Sequence, residues 1–271
     1  MKYFVVADVH GFYYELINAL NEKGFNPKDE NHKLIVCGDL MDRGPEAVQL
    51  QNYILELMGK DKVVLIKGNH EDLIPDFLIN IGFYTFRLRD THHYSNGTVD
   101  TCEQLVGMSD YDILRNPLEF VTKMVNTPFI KTIIPAMKNY FETENYIFVH
   151  GWIPCIVDKT EYPNAPKPTK YEYDPNWRSA SEEQWESARW FNGMELAHKH
   201  KIKEPGKTIV CGHWHCSYGW AEIRQERKAF PQKNRKGWEK SFEPYTEDGL
   251  VALDACTSYS GIINVMVVED E

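Results

Sequence analysis

Five short apolar runs punctuate the chain, and each stops abruptly on polar residues. Tyr3–Ala7 runs into Asp8-Val9-His10-Gly11, and Leu34–Cys37 runs into Gly38-Asp39-Leu40-Met41-Asp42-Arg43-Gly44. Val63–Lys67 leads to Gly68-Asn69-His70-Glu71, Tyr146–Val149 to His150-Gly151, and Thr208–Cys211 to Gly212-His213-Trp214-His215. Runs of this length, bounded by turn residues, predict buried strands. Between the first three, residues 12–24 (Tyr13, Leu16, Ile17, Leu20) and 45–58 (Val48, Leu50, Ile54, Leu55, Met58) carry apolar positions at helical spacing. Strand, helix, strand, helix, strand is the order of parallel βαβ units. In α/β sheets ligands bind beyond the carboxyl ends of strands, so tips far apart in sequence can meet in one crevice.

The remaining pattern is less regular. Residues 72–145 hold aromatic and helical patches without a polar strand tip and predict a mostly helical insertion. Residues 158–190 are rich in Pro, Tyr and Trp (Tyr162, Pro166, Pro168, Tyr171, Tyr173, Trp177, Trp185). Proline at that density predicts irregular backbone, with the aromatic side chains exposed along a substrate wall. Leu250–Asp254 and Ile262–Val268 flank a Ser/Gly turn and predict a closing hairpin. Because the polar tips run from Asp8 to His215, a boundary between them would split the site, and a single α/β domain over 1–271 is expected.

Composition narrows the class. With 42% hydrophobic and 13% aromatic residues the chain can fill a core, which excludes a disordered protein. Without a charged leader or a run of about 18–20 apolar residues, a soluble, cytoplasmic protein making no membrane contact is expected. Six cysteines show no Cys-x-x-Cys pair, and Cys37 and Cys211 fall inside predicted strands as small hydrophobes. A net charge of −10 argues against a nucleic-acid partner. The exception is local: Arg224, Arg227, Lys228, Lys233, Arg235, Lys236 and Lys240 form a basic stretch that could rim an anionic substrate.

The tips supply Asp8, His10, Asp39, Asn69, His150, His213 and His215 as candidate metal ligands. Oxygen and imidazole donors without thiolate suit two divalent ions, with Mn expected and Fe or Zn as alternatives. Seven ligands exceed what one small ion takes, and Asp39 is the natural bridge. Two divalent ions with two aspartates and one hydroxide leave a centre near +1, which attracts phosphate. A metal lowers the pKa of bound water from 15.7 to about 7, so in-line attack by metal-bound hydroxide is expected at neutral pH. His70 is the expected proton donor to the leaving alkoxide, Asp42 its orienting partner, and Arg43 a planar fork for phosphate oxygens. His92, His93, His198 and His200 lie away from the tips and are expected at the surface.

Taken together, these motifs resemble the signature of calcineurin-like metallophosphoesterases. The Asp-Arg-Gly and Asn-His-Glu elements resemble the phosphoprotein phosphatase branch, which includes bacterial and phage serine/threonine phosphatases and the symmetrical diadenosine tetraphosphatase. The resemblance implies four layers, two mixed β-sheets flanked by helices, with a dinuclear centre between the sheets. It implies one metal on Asp8, His10, Asp39 and His215, and a second on Asp39, Asn69, His150 and His213. It also implies a second phosphate-binding arginine, for which Arg189 is the nearest candidate; His215 departs from many protein phosphatases. The expected substrate is a phosphoserine or phosphothreonine protein. The alternative is diadenosine polyphosphate or another small phosphorylated metabolite, and a non-catalytic binding scaffold is the remote third.

Overall fold

A computed structural model of the chain describes residues 1–83, 88–158 and 170–270. Tyr162, Pro166 and Pro168 lie outside the described residues. Side-chain alternation along the strands sets the layering. β1 (Lys2–Val6), β2 (His32–Cys37) and β3 (Val63–Ile66) pair in parallel, and β11 (Met266–Glu269) runs antiparallel along β1. In the second sheet β5 (Tyr146–Phe148), β8 (Thr208–Cys211) and β10 (Leu250–Ala252) are parallel. They are edged by antiparallel β4 (Phe141–Glu142) and β9 (Tyr245–Glu247). β6 (Cys155–Asp158) and β7 (Lys170–Tyr173) form a separate antiparallel pair.

Tyr3, Val5, Ala7, Ile35, Cys37 and Ile66 on one face of the first sheet meet Phe148, Val210 and Leu253 of the second. The opposite face, through Phe4, Val6, Leu34, Val36 and Leu65, packs on α1 (Tyr13–Glu22), α2 (Ala47–Gly59) and α3 (His70–Asn80). On the far side Ile147, Val149, Ile209 and Leu250 pack on Trp177, Trp185 and Leu196, the last two in α9 (Glu182–Arg189) and α10 (Gly193–Lys199). The result is the four-layer sandwich of two mixed sheets flanked by helices. Strands buried on both faces read as continuous apolar runs, which is why no polar alternation marked them. Each fully buried Leu, Ile or Phe side chain here contributes about 1.5–3 kcal/mol.

Between α3 and β4 the chain forms α4 (His92–Ser95), α5 (Thr98–Val106), α6 (Asp110–Arg115), α7 (Pro117–Met124) and α8 (Ile134–Ala136). Two short helices, α11 (Cys216–Tyr218) and α12 (Thr257–Ser260), follow β8 and β10. Among the described residues, no helix is long and apolar enough to cross a membrane.

Three expectations change. β10 and β11 are not a hairpin: β10 lies beside β8 and β9, whereas β11 crosses to the other sheet and covers the open edge of β1. Trp177 and Trp185 are buried and line no wall, because they fill the second helix–sheet core, with Trp177 Nε1 donating to Glu204 at 2.9 Å. His93 is fully buried rather than at the surface, packed against Phe77 of α3.

Candidate metal centre

The backbone at the strand tips is bent to aim side chains. Ten non-glycine residues among those described have positive φ, and six of them are Asp8, His10, Asp39, Asp42, Arg43 and His213. Such conformations are sparsely populated for residues with a Cβ and gather where function demands them. Gly38, at φ +80, also leaves room: a Cβ there would strike the His150 ring.

Asp39 sits at the middle. Its Oδ1 lies 3.3 Å from His150 Nε2 and accepts the His70 amide N–H at 3.0 Å, while its Oδ2 lies 3.7 Å from His10 Nε2 and 3.8 Å from His70 Nε2. One ligand atom from each of His10, Asp39 and His70 falls within 4.8 Å of the others, and so does the set Asp39, His150 and His213. Asp39 belongs to both sets, as a bridging carboxylate would.

The imidazole tautomers follow from the partners. His150 Nδ1 donates to the Cys37 carbonyl at 2.9 Å and His10 Nδ1 to the Met41 carbonyl at 3.1 Å, since a carbonyl only accepts. A neutral His150 then has a bare Nε2, which faces Asn69 Oδ1 at 2.8 Å and Asp39 Oδ1 at 3.3 Å. Three lone-pair donors converging without a hydrogen between them are what a cation satisfies. The charge balance agrees. Asp8, Asp39, Asp42, Glu71 and Asp254 are all buried around the site, and the arginine reaching it is Arg43. Burying that much negative charge is costly unless cations offset it. The residues therefore fit two divalent ions.

Burial alone would raise the Asp39 carboxyl, but the imidazoles of His150, His70, His10 and His213 hold it well below its usual range. Burial, followed by Asp254 and Asp39, pushes Asp8 well above its own. Burial, reinforced by His150, brings His213 down to about 3, and burial likewise depresses His10. Neutral imidazole is the ligating form.

Asp8 and His215 stand beside these two sets. The Asp8 carboxylate accepts the His213 amide N–H at 2.9 Å, and His215 packs edge-on to Phe230 at 5.4 Å. The buried Asp254 lies close enough to act electrostatically on both Asp8 and His215.

His70 opens α3 with its Nδ1 2.8 Å from Asp42 Oδ2. Burial would lower its proton affinity, but Asp39 and Asp42 outweigh that and leave it raised. Arg43 lays its two terminal nitrogens 3.2 Å from His10 Nε2 and 3.2 Å from His70 Nε2, donating to both.

Supporting residues escaped the sequence reading. Thr98 Oγ1 donates to Asp42 Oδ2 at 2.8 Å, and the Asp42 amide donates to Thr101 Oγ1 at 2.9 Å, so α5 clasps the Asp42 loop from behind. Glu71 accepts three amides, from Gly68 (2.7 Å), Leu40 (2.8 Å) and Asp39 (3.1 Å), tying two strand tips together. Burial, with Asp39 adding to it, pushes the Glu71 carboxyl up to about 7 despite those amides. Asp254 carried a usable signal, being a carboxylate at the end of the apolar run Leu250–Leu253.

Arg189 lies beside the His150-Gly151 tip, its backbone against Gly151. α9 begins at a capping box of Ser181 and Gln184 and ends at Arg189, whose side chain is buried. Its Nε donates to Asp72 at 2.8 Å and its terminal nitrogens to Asn139 at 3.0 Å and Glu182 at 3.1 Å. Bonded from each of its three nitrogens, the guanidinium braces α9 against α3. Cys216 directs its thiol to the Ala252 carbonyl at 3.1 Å.

Parts of the chain are similar to known proteins. Over 76 residues the chain is 34% identical to the asymmetrical bis(5'-nucleosyl)-tetraphosphatase of Bacillus velezensis, covering 26% of this chain and 30% of that protein. Over 71 residues it is 35% identical to the symmetrical bis(5'-nucleosyl)-tetraphosphatase of Buchnera aphidicola, covering 26% and 24%. The chain thus spans less than a third of the length of these two curated relatives. Among solved structures, the cold-active protein-tyrosine phosphatase of a psychrophilic Shewanella aligns over 99% of this chain and 75% of its own. The TM-score is 0.53 and the identity 15%, a likeness of fold. The calcineurin-like phosphoesterase family model matches residues 1–217, and with that match the chain belongs to the calcineurin-like phosphoesterases.

Proposed function

We propose that this metal-dependent phosphoesterase hydrolyses a dinucleoside polyphosphate rather than a phosphoprotein. The observation that carries this reading is the aromatic rim of the centre. Trp190, Trp214 and Phe230 are 51%, 38% and 59% exposed, yet each packs on a histidine of the last strand tip. Trp190 and Trp214 lie 5.7 and 6.3 Å from the His213 ring, and Phe230 lies 5.4 Å from His215. Large aromatic faces left open to water beside a phosphate-handling site suit nucleobase stacking, worth about 1–3 kcal/mol per base. The relatives named above as tetraphosphatases support the same substrate class.

In this reading Asp39, Asn69, His150 and His213 hold one ion, and Asp8, His10, Asp39 and His215 the other, with Mn as the expected metal. Bound there, the pair supplies a nucleophile at neutral pH and neutralises phosphoryl charge. Arg43 binds and orients the phosphoryl oxygens. As an imidazolium, with its Nδ1–H held by Asp42 and Arg43 turned from its Nε2 to the phosphoryl group, His70 gives its Nε2 proton to the leaving oxygen. Asp42, held by Thr98, accepts the Nδ1 proton, fixes the ring and supports its protonated form. Residues 1–271 act as one unit, because β11 completes the sheet that β1 begins.

The test is a side-by-side assay of the Mn-loaded protein on diadenosine tetraphosphate and a phosphoserine peptide. Faster turnover of the dinucleotide, with KM raised about tenfold by W214A or F230A, is expected. Faster turnover of the peptide, with KM indifferent to those substitutions, would overturn the assignment.

A further inference from the structure

Asp76, His92 and His93 form a third set of ligating side chains, well outside the centre described above. One ligand atom from each lies within 4.8 Å of the others. Asp76 Oδ2 is 3.1 Å from His93 Nε2 and 3.7 Å from His92 Nε2, and the two imidazole centroids are 3.9 Å apart. Asp76 projects from α3, while the two histidines occupy the single turn of α4, which Thr91 caps by accepting the Tyr94 amide.

His93 is fully buried against Phe77 of α3, which fixes its ring beside the Asp76 carboxylate. Asp76 and His92 are both about half-exposed, which gives an ion a path in and leaves room for water. Two nitrogens and one carboxylate with an open fourth position suit zinc. They are too few and too nitrogen-rich for calcium or magnesium.

We propose that Asp76, His92 and His93 bind a Zn²⁺ ion, a third cation site that fastens α4 to α3. From α4 the chain passes through Gly97, which packs directly on the Arg43 backbone, to Thr98 and Thr101 on Asp42. An ion at this site would thus steady the segment that holds the His70 partner in place.

Zinc stoichiometry tests the proposal in full-length, tag-free protein stripped by chelator, titrated with Zn²⁺ in equilibrium dialysis and read by elemental analysis. The wild type should bind one equivalent more than a D76N/H92Q variant, whose replaced side chains are half-exposed and whose far-ultraviolet circular dichroism should be unchanged. The same difference of one should separate D39N from D39N/D76N/H92Q, a comparison that removes the bridging aspartate from the count. Zinc should raise the melting temperature of D39N by several degrees and that of the combined variant by less. Equal stoichiometry within either pair would sink the outer site, whatever the central count proves to be. If the central assignment failed instead, the wild type would bind one ion and D76N/H92Q none.

Discussion

Among the described residues aspartate and histidine gather in two places, and α3 touches both. His70 opens the helix at the strand tips, and Asp76 stands six residues on, about 9 Å along the axis. At the inner site Asp8, His10, Asp39 and His213 come from strand ends on left-handed backbone, and His10 and His150 are each locked through Nδ1 by a backbone carbonyl. At the outer site the histidines sit side by side on one helical turn, their rings tilted 40° to each other, and share a half-exposed carboxylate. Strained backbone and locked rings cost free energy that only a demanding geometry justifies. The inner set is preorganised for chemistry, whereas the outer set is built merely to bind.

The sharpest way to break that contrast is at the bridge. D39N removes the one carboxylate common to both inner sets and should empty at least one inner position, with turnover falling to the level of metal-free protein. Elemental analysis finding two inner metals per chain in D39N would end the bridging assignment. Next comes H70N. Losing a positioned acid costs about 10²–10⁴-fold in kcat, and metal content should survive. A full-speed H70N enzyme would leave the inner histidines as ligands alone and erase the division of labour between His70 and its neighbours.

A gentler probe separates support from chemistry. T98V deletes the hydroxyl that donates to Asp42 Oδ2. The lost hydrogen bond should cost about 1 kcal/mol of stability, and kcat should drop severalfold as Asp42 loosens behind His70. Metal content should not move. A T98V protein that melts earlier with unchanged kcat would show that α5 stabilises the loop without positioning the acid.

The histidines that gather around Asp39 were legible because each stands at the end of an apolar run, so the signal is local in sequence. What supports them is not local. Thr98 and Thr101 reach Asp42 across 56 and 59 residues, from a helix whose own pattern announces only amphipathicity. Asp254 carried the same strand-end signal as the other tips, but pairing the last two runs as a hairpin hid it. Proline density in 158–190 correctly marks loops yet says nothing about what Trp177 packs against. Arg189 shows the same limit, since its partners Asp72 and Asn139 lie 117 and 50 residues away. The outer cluster left no trace because neither histidine ends a strand.

The smallest effect concerns a carboxylate ringed by fixed cations instead of imidazoles. Glu142 receives Arg178 Nε at 2.9 Å and a second Arg178 nitrogen at 2.6 Å, and Lys207 Nζ lies 2.9 Å away. The Arg178 hydrogen bonds, with Lys207 behind them, hold its carboxyl at about 2 against an ordinary 4.5. A depressed acid stabilises the fold fully above its unfolded value and loses that contribution as pH falls from about 4.5 through 2. Guanidinium and ammonium are donors without a lone pair for a metal, so this cluster is an ion-pair clamp, unlike Asp39 among its histidines. Solvent screens it, and E142Q should cost about 0.2–1 kcal/mol near pH 7. Melting temperatures of the wild type and E142Q, measured with chelator present, should differ by a constant amount above pH 5 and converge below pH 4. A gap that persists undiminished at pH 3 would mean the glutamate acts through packing, and the distinction between the two kinds of carboxylate would lose its electrostatic basis.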